Sequence, residues 1–183
     1  MSRSPPSPER SASRCDRTRP LPAGAPRFRA LLLGVALAWA TLAPAARALE
    51  SLDAFPRSSL AIQTQTGMQR FDIWIADTPA RSQQGLMFVR ALPADQGMLF
   101  PLQRPGVMQM WMKDTRIALD MLFIDVRGAI IFIQHNATPE SEAIITTPTP
   151  VVTPVKAVLE LRGGECARRH IEQGDRVIYA LFY

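Results

Sequence analysis

Cysteine, histidine and tyrosine are each present only twice in this 183-residue chain, and tryptophan three times. Cys15 falls in an Arg- and Pro-rich N-terminal stretch and Cys166 stands alone in the rest, so no disulfide is expected within the remainder. So few aromatic residues offer no stacking surface for single-stranded nucleic acid. The chain has no Gly-rich phosphate loop, no Gly-x-Ser-x-Gly elbow, no His-Glu-x-x-His and no zinc-ribbon spacing. The chemistries those motifs serve are therefore not expected. No apolar run reaches the roughly 20 residues of a membrane-spanning helix.

What is abundant is positive charge, and it is unevenly placed. The formal net charge is +5, but eight of the 21 Lys+Arg and only two of the 16 Asp+Glu precede Leu49. From Leu49 onward 13 positive residues face 14 negative ones, so the basic balance points to no nucleic-acid partner. Residues 1–48 read as a leader. Arg27 and Arg29 precede an uncharged h-region, Ala30 to Leu42, and Ala46-Arg47-Ala48 presents small residues where a signal peptidase reads. Cleavage is expected after Ala48, with Ala45 as the second choice. No Cys follows the h-region and no paired arginines precede it, which excludes lipid attachment at that site and argues against the twin-arginine route. The expected location is the periplasm or the exterior. The alternative is an inner-membrane protein anchored by an uncleaved leader, which would be its only membrane contact.

Residues 49–57 read as a short tether and 58–183 as one globular, monomeric domain. Phe71, Ile73 and Ile75 alternate with Asp72, Trp74 and Ala76, the period of a strand. Thr78-Pro79 caps a short helix from Pro79 to Gln84 that Gly85 ends. Further β-type runs are Gly97 to Phe100, Val107 to Met112, Leu119 to Val126, Ala129 to Gln134, Val155 to Leu161 and Arg176 to Phe182. Arg127-Gly128 makes a tight hairpin, Pro148, Pro150 and Pro154 leave an extended loop, and a second short helix is expected over Glu165 to Ile171. About seven short strands and two short helices, without long crossovers, predict an α+β, mainly β domain, a compact barrel-like or sandwich architecture.

Five blocks in register carry a family likeness: Gly85-Leu86-Met87, Gly97-Met98-Leu99-Phe100, Trp111-Met112-Lys113-Asp114-Thr115, Leu119-Asp120 with Phe123-Ile124-Asp125, and Leu159-Glu160-Leu161 followed by Gly164, Ile171 and Gly174-Asp175. In order and spacing, from Phe71 to Val177, they resemble the bacterial and archaeal domain of unknown function 192 family. The resemblance implies a compact, mainly β, often exported domain and lends no catalytic assignment. One departure is visible, since that family usually has Asn where this chain has Asp114.

The candidate site is a set of polar residues among apolar strands: Lys113, Asp114, Thr115, Asp120 and Glu160. A charge flanked by Leu or Met inside a strand either faces outward or is buried and paired. Convergence of these residues on a polar ligand is one reading; a Lys–carboxylate network that fixes a turn is the other. In the network reading Glu160→Gln costs more than about 1.5 kcal/mol through a lost charge-assisted bond, and Lys113→Ala costs less. Asp125 reads as a hairpin residue bonded to its own backbone. Met108, Met110 and Met112 alternate near Met98 and Met87; thioethers select Cu(I), but methionine also fills core gaps, which is the reading adopted. Cys166 and His170 lie one helical turn apart, but the other histidine, His135, falls in a distant segment, so no metal site and no cofactor are expected. The expectation is an exported domain that binds a small polar molecule or an envelope component. Whether it is an enzyme stays open: a hydrolase or lyase using Asp114, Asp120 and Glu160 is the alternative, and a structural or assembly partner a third.

Overall fold

A computed structural model describes residues 49–148 and 153–183. The leader, with its h-region and cleavage site, and the middle of the Pro-rich loop lie outside the described residues. Seven strands form one mainly antiparallel sheet: β1 (Arg57–Thr64), β2 (Gly67–Ile75), β3 (Gln96–Gly106), β4 (Leu119–Asp125), β5 (Ile130–Ala137), β6 (Val155–Arg162) and β7 (Arg176–Ile178). Their spatial order is β5-β4-β6-β3-β2-β1-β7. Only β2 and β3 run parallel, so the chain must cross over between them, and the crossover carries helix α1 (Pro79–Gln84).

α1 has the caps its sequence predicts. Thr78 accepts the Arg81 N–H, Pro79 opens the first turn, and Gly85 ends it at φ +49°. The second helix, α2 (Glu165–Arg168), is shorter than the predicted span to Ile171. Three strand expectations change. Val107 to Met112 is not a strand; it holds one bridge, Met110 to Ile145, because the 107–117 segment folds over the sheet rather than into it. β1, within a segment without clear alternation, supplies the seventh strand instead. The last strand stops at Ile178 and gives way to a 3-10 turn, Ala180–Phe182. β3 also runs on past Pro101, which the ladder accommodates by a register shift between Pro101 and Gly106.

Asp125 does at the β4–β5 hairpin what its position predicts: its Oδ1 accepts the N–H groups of Arg127 and Ala129 at 2.8 and 2.9 Å. The hairpin touches the far edge of the sheet, where Val177 donates to the Gly128 carbonyl at 2.7 Å and Ala129 bridges Arg176. This bend brings β5 toward β7 without a continuous ladder, so the sheet is strongly curved but is not a closed barrel.

Each face of the sheet carries an apolar cluster. One contains Ile62, Phe71, Leu122, Leu159, Leu161 and Cys166; the other contains Trp74, Met98, Phe100, Met112, Met121, Phe123 and Val158. β6 is central and buried from Val155 to Leu161 except for partly covered Lys156, so its alternate residues feed both clusters. The second face is covered by 49–56, α1 and the 107–117 segment. Of residues 49–57, expected as a tether, 49–56 dock there: Glu50 pairs with Arg81 at 2.8 Å and exchanges backbone bonds with the Gln84 amide, and Phe55 is buried.

Candidate functional site

Strand register decides which of the candidate residues meet. Asp120 lies opposite Leu161, and Met121 lies opposite Glu160. Because successive side chains alternate between faces, Asp120 and Glu160 project from opposite sides of the sheet. They form no carboxylate pair, and the network joining Lys113, Asp120 and Glu160 is not formed.

Asp120 is fully buried and is held in place through both of its oxygens. Its Oδ1 accepts the N–H groups of Asn136 at 2.8 Å and Gly164 at 3.1 Å, and its Oδ2 accepts that of Cys166 at 2.8 Å. A carboxylate is well suited to this work, since it offers several acceptor sites to donors that converge from two segments, β5 and the start of α2.

Glu160 is the opposite case. It sits on β6 between Met98 of β3 and Met121 of β4, 4 % exposed, and its Oε2 has no hydrogen-bond partner among the described residues. Burial among thioethers and apolar side chains pushes its carboxyl up to about 8, so at neutral pH it is mostly the protonated acid. It lies in the lining of a cavity of about 430 Å³ between α1, Gly85–Met87 and the 107–117 segment. Thr115 lines the same cavity, with Gln83, Met87, Met110 and half-exposed Trp111. No Lys or Arg is among its lining residues.

Lys113 and Asp114 are exposed and line an adjoining hollow of about 380 Å³ that shares Gln83, Gln84, Met87 and Trp111 with the first. Asp114 has φ +54°, and its carbonyl accepts the Phe88 N–H at 2.9 Å. Asn and Asp both tolerate that left-handed turn, which accounts for Asp where the resemblance leads one to expect Asn. The five candidates thus divide: Thr115 and Glu160 share one cavity, Lys113 and Asp114 line its neighbour, and Asp120 is on the other face.

Sequence reasoning passed over Glu165. It is buried and receives Arg162 at 3.0 Å, Arg169 at 2.6 Å, and Arg168. Burial alone would raise its carboxyl, but hydrogen bonds from the three guanidinium groups outweigh that and bring it down to about 2. Arg169 is largely covered and stacks 4.4 Å from the centre of the Phe71 ring.

Comparison with known proteins agrees with this architecture. Residues 61–179 match the profile of the domain of unknown function 192 family, described as uncharacterized ACR, and the chain belongs to that family. Among solved structures, a Sinorhizobium meliloti protein provisionally described as a transcription regulator is 38 % identical, with a TM-score of 0.65 over 69 % of this chain and 96 % of that one. A protein of unknown function from Novosphingobium aromaticivorans is 31 % identical, with a TM-score of 0.66 over 74 % of this chain and 94 % of its own. No curated protein matches the chain.

Proposed function

We propose that this is an exported binding domain for a small, partly apolar molecule, held in the Glu160 cavity and recognised through a hydrogen bond from the protonated Glu160 carboxyl. The observation that carries this reading is the buried Oε2 with no partner in a cavity large enough for a ligand. A buried polar group without a partner costs stability, and such groups persist where something else completes them. The absence of Lys and Arg from the lining disfavours phosphates and carboxylates and favours neutral ligands that carry a hydrogen-bond acceptor. Met87, Met110 and Trp111 would cover the apolar part, and Thr115 and Gln83 add polar groups near the acid.

Export rests on the charged leader, its short h-region and Ala46-Arg47-Ala48. The description of the S. meliloti relative as a transcription regulator finds no support in net charge: residues 49–183 are close to neutral, without the overall basicity usual in a DNA-binding domain.

Ligand-observed NMR with a library of small neutral amides and polyols tests the binding reading. Bound compounds should be lost in Glu160→Leu and retained in Glu160→Gln, which keeps a donor in the same place. Compounds that bind Glu160→Leu as well as wild type, or a library with no binder, would count against it.

A further inference from the structure

On the face of the sheet opposite Glu160, the buried carboxylate of Asp120 meets two residues that sequence order separates. His135 comes from β5, the strand beside β4, and Cys166 from α2, which follows β6 on the other side of β4. One Asp120 carboxylate oxygen, one His135 ring nitrogen and the Cys166 Sγ all lie within 4.8 Å of one another. Bonds of roughly 2.0–2.3 Å from a tetrahedral zinc ion would set three such atoms about 3.3–3.8 Å apart, so the triangle needs only a small contraction. We propose that Asp120, His135 and Cys166 bind a zinc-class divalent transition metal ion.

The donor set defines that class. One thiolate, one imidazole and one carboxylate suit a borderline-soft ion and disfavour calcium or magnesium, which take oxygen ligands. The site is also built to hold its ligands still. Asp120 is oriented by three backbone N–H groups, the outer-shell support that metal-bound carboxylates require. Cys166 stands at the start of α2, immobilised in the core. His135 is exposed and is the ligand free to rotate inward. A cavity of about 370 Å³ lined by His135, Cys166 and His170 gives an ion a route in and leaves a fourth coordination position.

Without metal the thiol stays protonated, because burial and then the neighbouring Asp120 charge push its ionisation far up. A divalent ion reverses that balance. The S–H bond breaks, the sulfur keeps the electron pair as a thiolate ligand, and the proton passes to solvent. One proton leaves for each ion bound through sulfur, and no oxidant or reductant is needed. The site lies across the sheet from the Glu160 cavity and stands or falls independently of it.

Cobalt(II) reports thiolate coordination directly. Cobalt chloride titrated into reduced, chelator-stripped protein should give a near-ultraviolet sulfur-to-cobalt band and tetrahedral visible bands that saturate at one ion per chain and disappear when zinc is added. Cys166→Ala should abolish the near-ultraviolet band. His135→Ala, at an exposed position that leaves the core intact, should weaken cobalt binding at least about tenfold. Failure of the near-ultraviolet band to appear in wild type, its survival in Cys166→Ala, or unchanged affinity in His135→Ala would each overturn the proposal.

Discussion

Asp120 accepts the backbone N–H of Cys166 at 2.8 Å, so a carboxylate at the start of β4 fixes the first turn of α2. The same side chain takes donors from the end of β5 and from Gly164, and thereby joins three segments at one buried point. Hydrogen bonds to a charged group are worth about 1.5–3 kcal/mol each. Asp120→Ala leaves three buried donors without acceptors and should cost more than about 3 kcal/mol in urea unfolding. A loss under about 1 kcal/mol would show that water replaces the carboxylate.

Glu160 should give stability an unusual dependence on pH. Its folded value, about 8, lies above the ordinary 4.5, so the folded state holds a proton that the unfolded chain releases. Below pH 4.5 both states are protonated and this group contributes no penalty. Between 4.5 and 8 stability falls by about 1.4 kcal/mol per pH unit from this group, and above 8 the loss of about 5 kcal/mol is complete. Glu160→Gln should remove that slope and be the more stable protein at pH 9. Urea unfolding of both proteins across this range checks it; the charge-assisted bond whose loss was to make Glu160→Gln costly is not formed.

Glu165 acts in the reverse sense. Its carboxyl is lowered from 4.5 to about 2, so its ion pairs stabilise the fold in full above pH 4.5 and are lost as pH falls toward 2. Glu165→Gln removes the buried carboxylate from a cluster whose Arg162 and Arg168 are half exposed, and should cost about 2 kcal/mol at pH 7, less than breaking a fully buried pair. The deficit relative to wild type should shrink on acidification, measured by chemical unfolding at pH 7 and pH 3.

Gly128 is a steric test of the bend between the sheet edges. It has φ +81°, and a Cβ there would come within 2.6 Å of the Val177 carbonyl oxygen. Gly128→Ala should cost about 2 kcal/mol or more, through left-handed strain and displacement of β7. Gly67, also at positive φ but with open space around it, should respond less to the same change. Equal thermal shifts in the two variants would contradict the close approach.

Local chemistry makes parts of this molecule legible in its sequence. α1 was readable because Thr78, Pro79 and Gly85 each act within one turn, and the β4–β5 hairpin because Asp125 bonds groups two and four residues away. Partnership across strands was not readable. Whether Asp120 and Glu160 share a face depends on the β4–β6 register, which pairs Asp120 with Leu161, and a single residue of slippage would reverse the answer. The meeting of His135 with Cys166 has the same origin. It requires β5 and β6 to flank β4, a matter of strand order that no spacing along the chain encodes. β1 was missed because Arg57 to Thr64 buries three consecutive residues, Leu60, Ala61 and Ile62, and so lacks strict alternation.

The pairing of β1 with β7 joins the first and last strands of the described domain. A ribosome delivers Arg57 long before Arg176, so β1 waits with one edge unpaired until β7 has been made. The loop closed by that final pairing spans almost the entire domain, among the slowest contacts a chain this size can make. The sheet is therefore completed by its last strand, and a chain lacking β7 would retain β1 with an open edge, ready to pair with another copy.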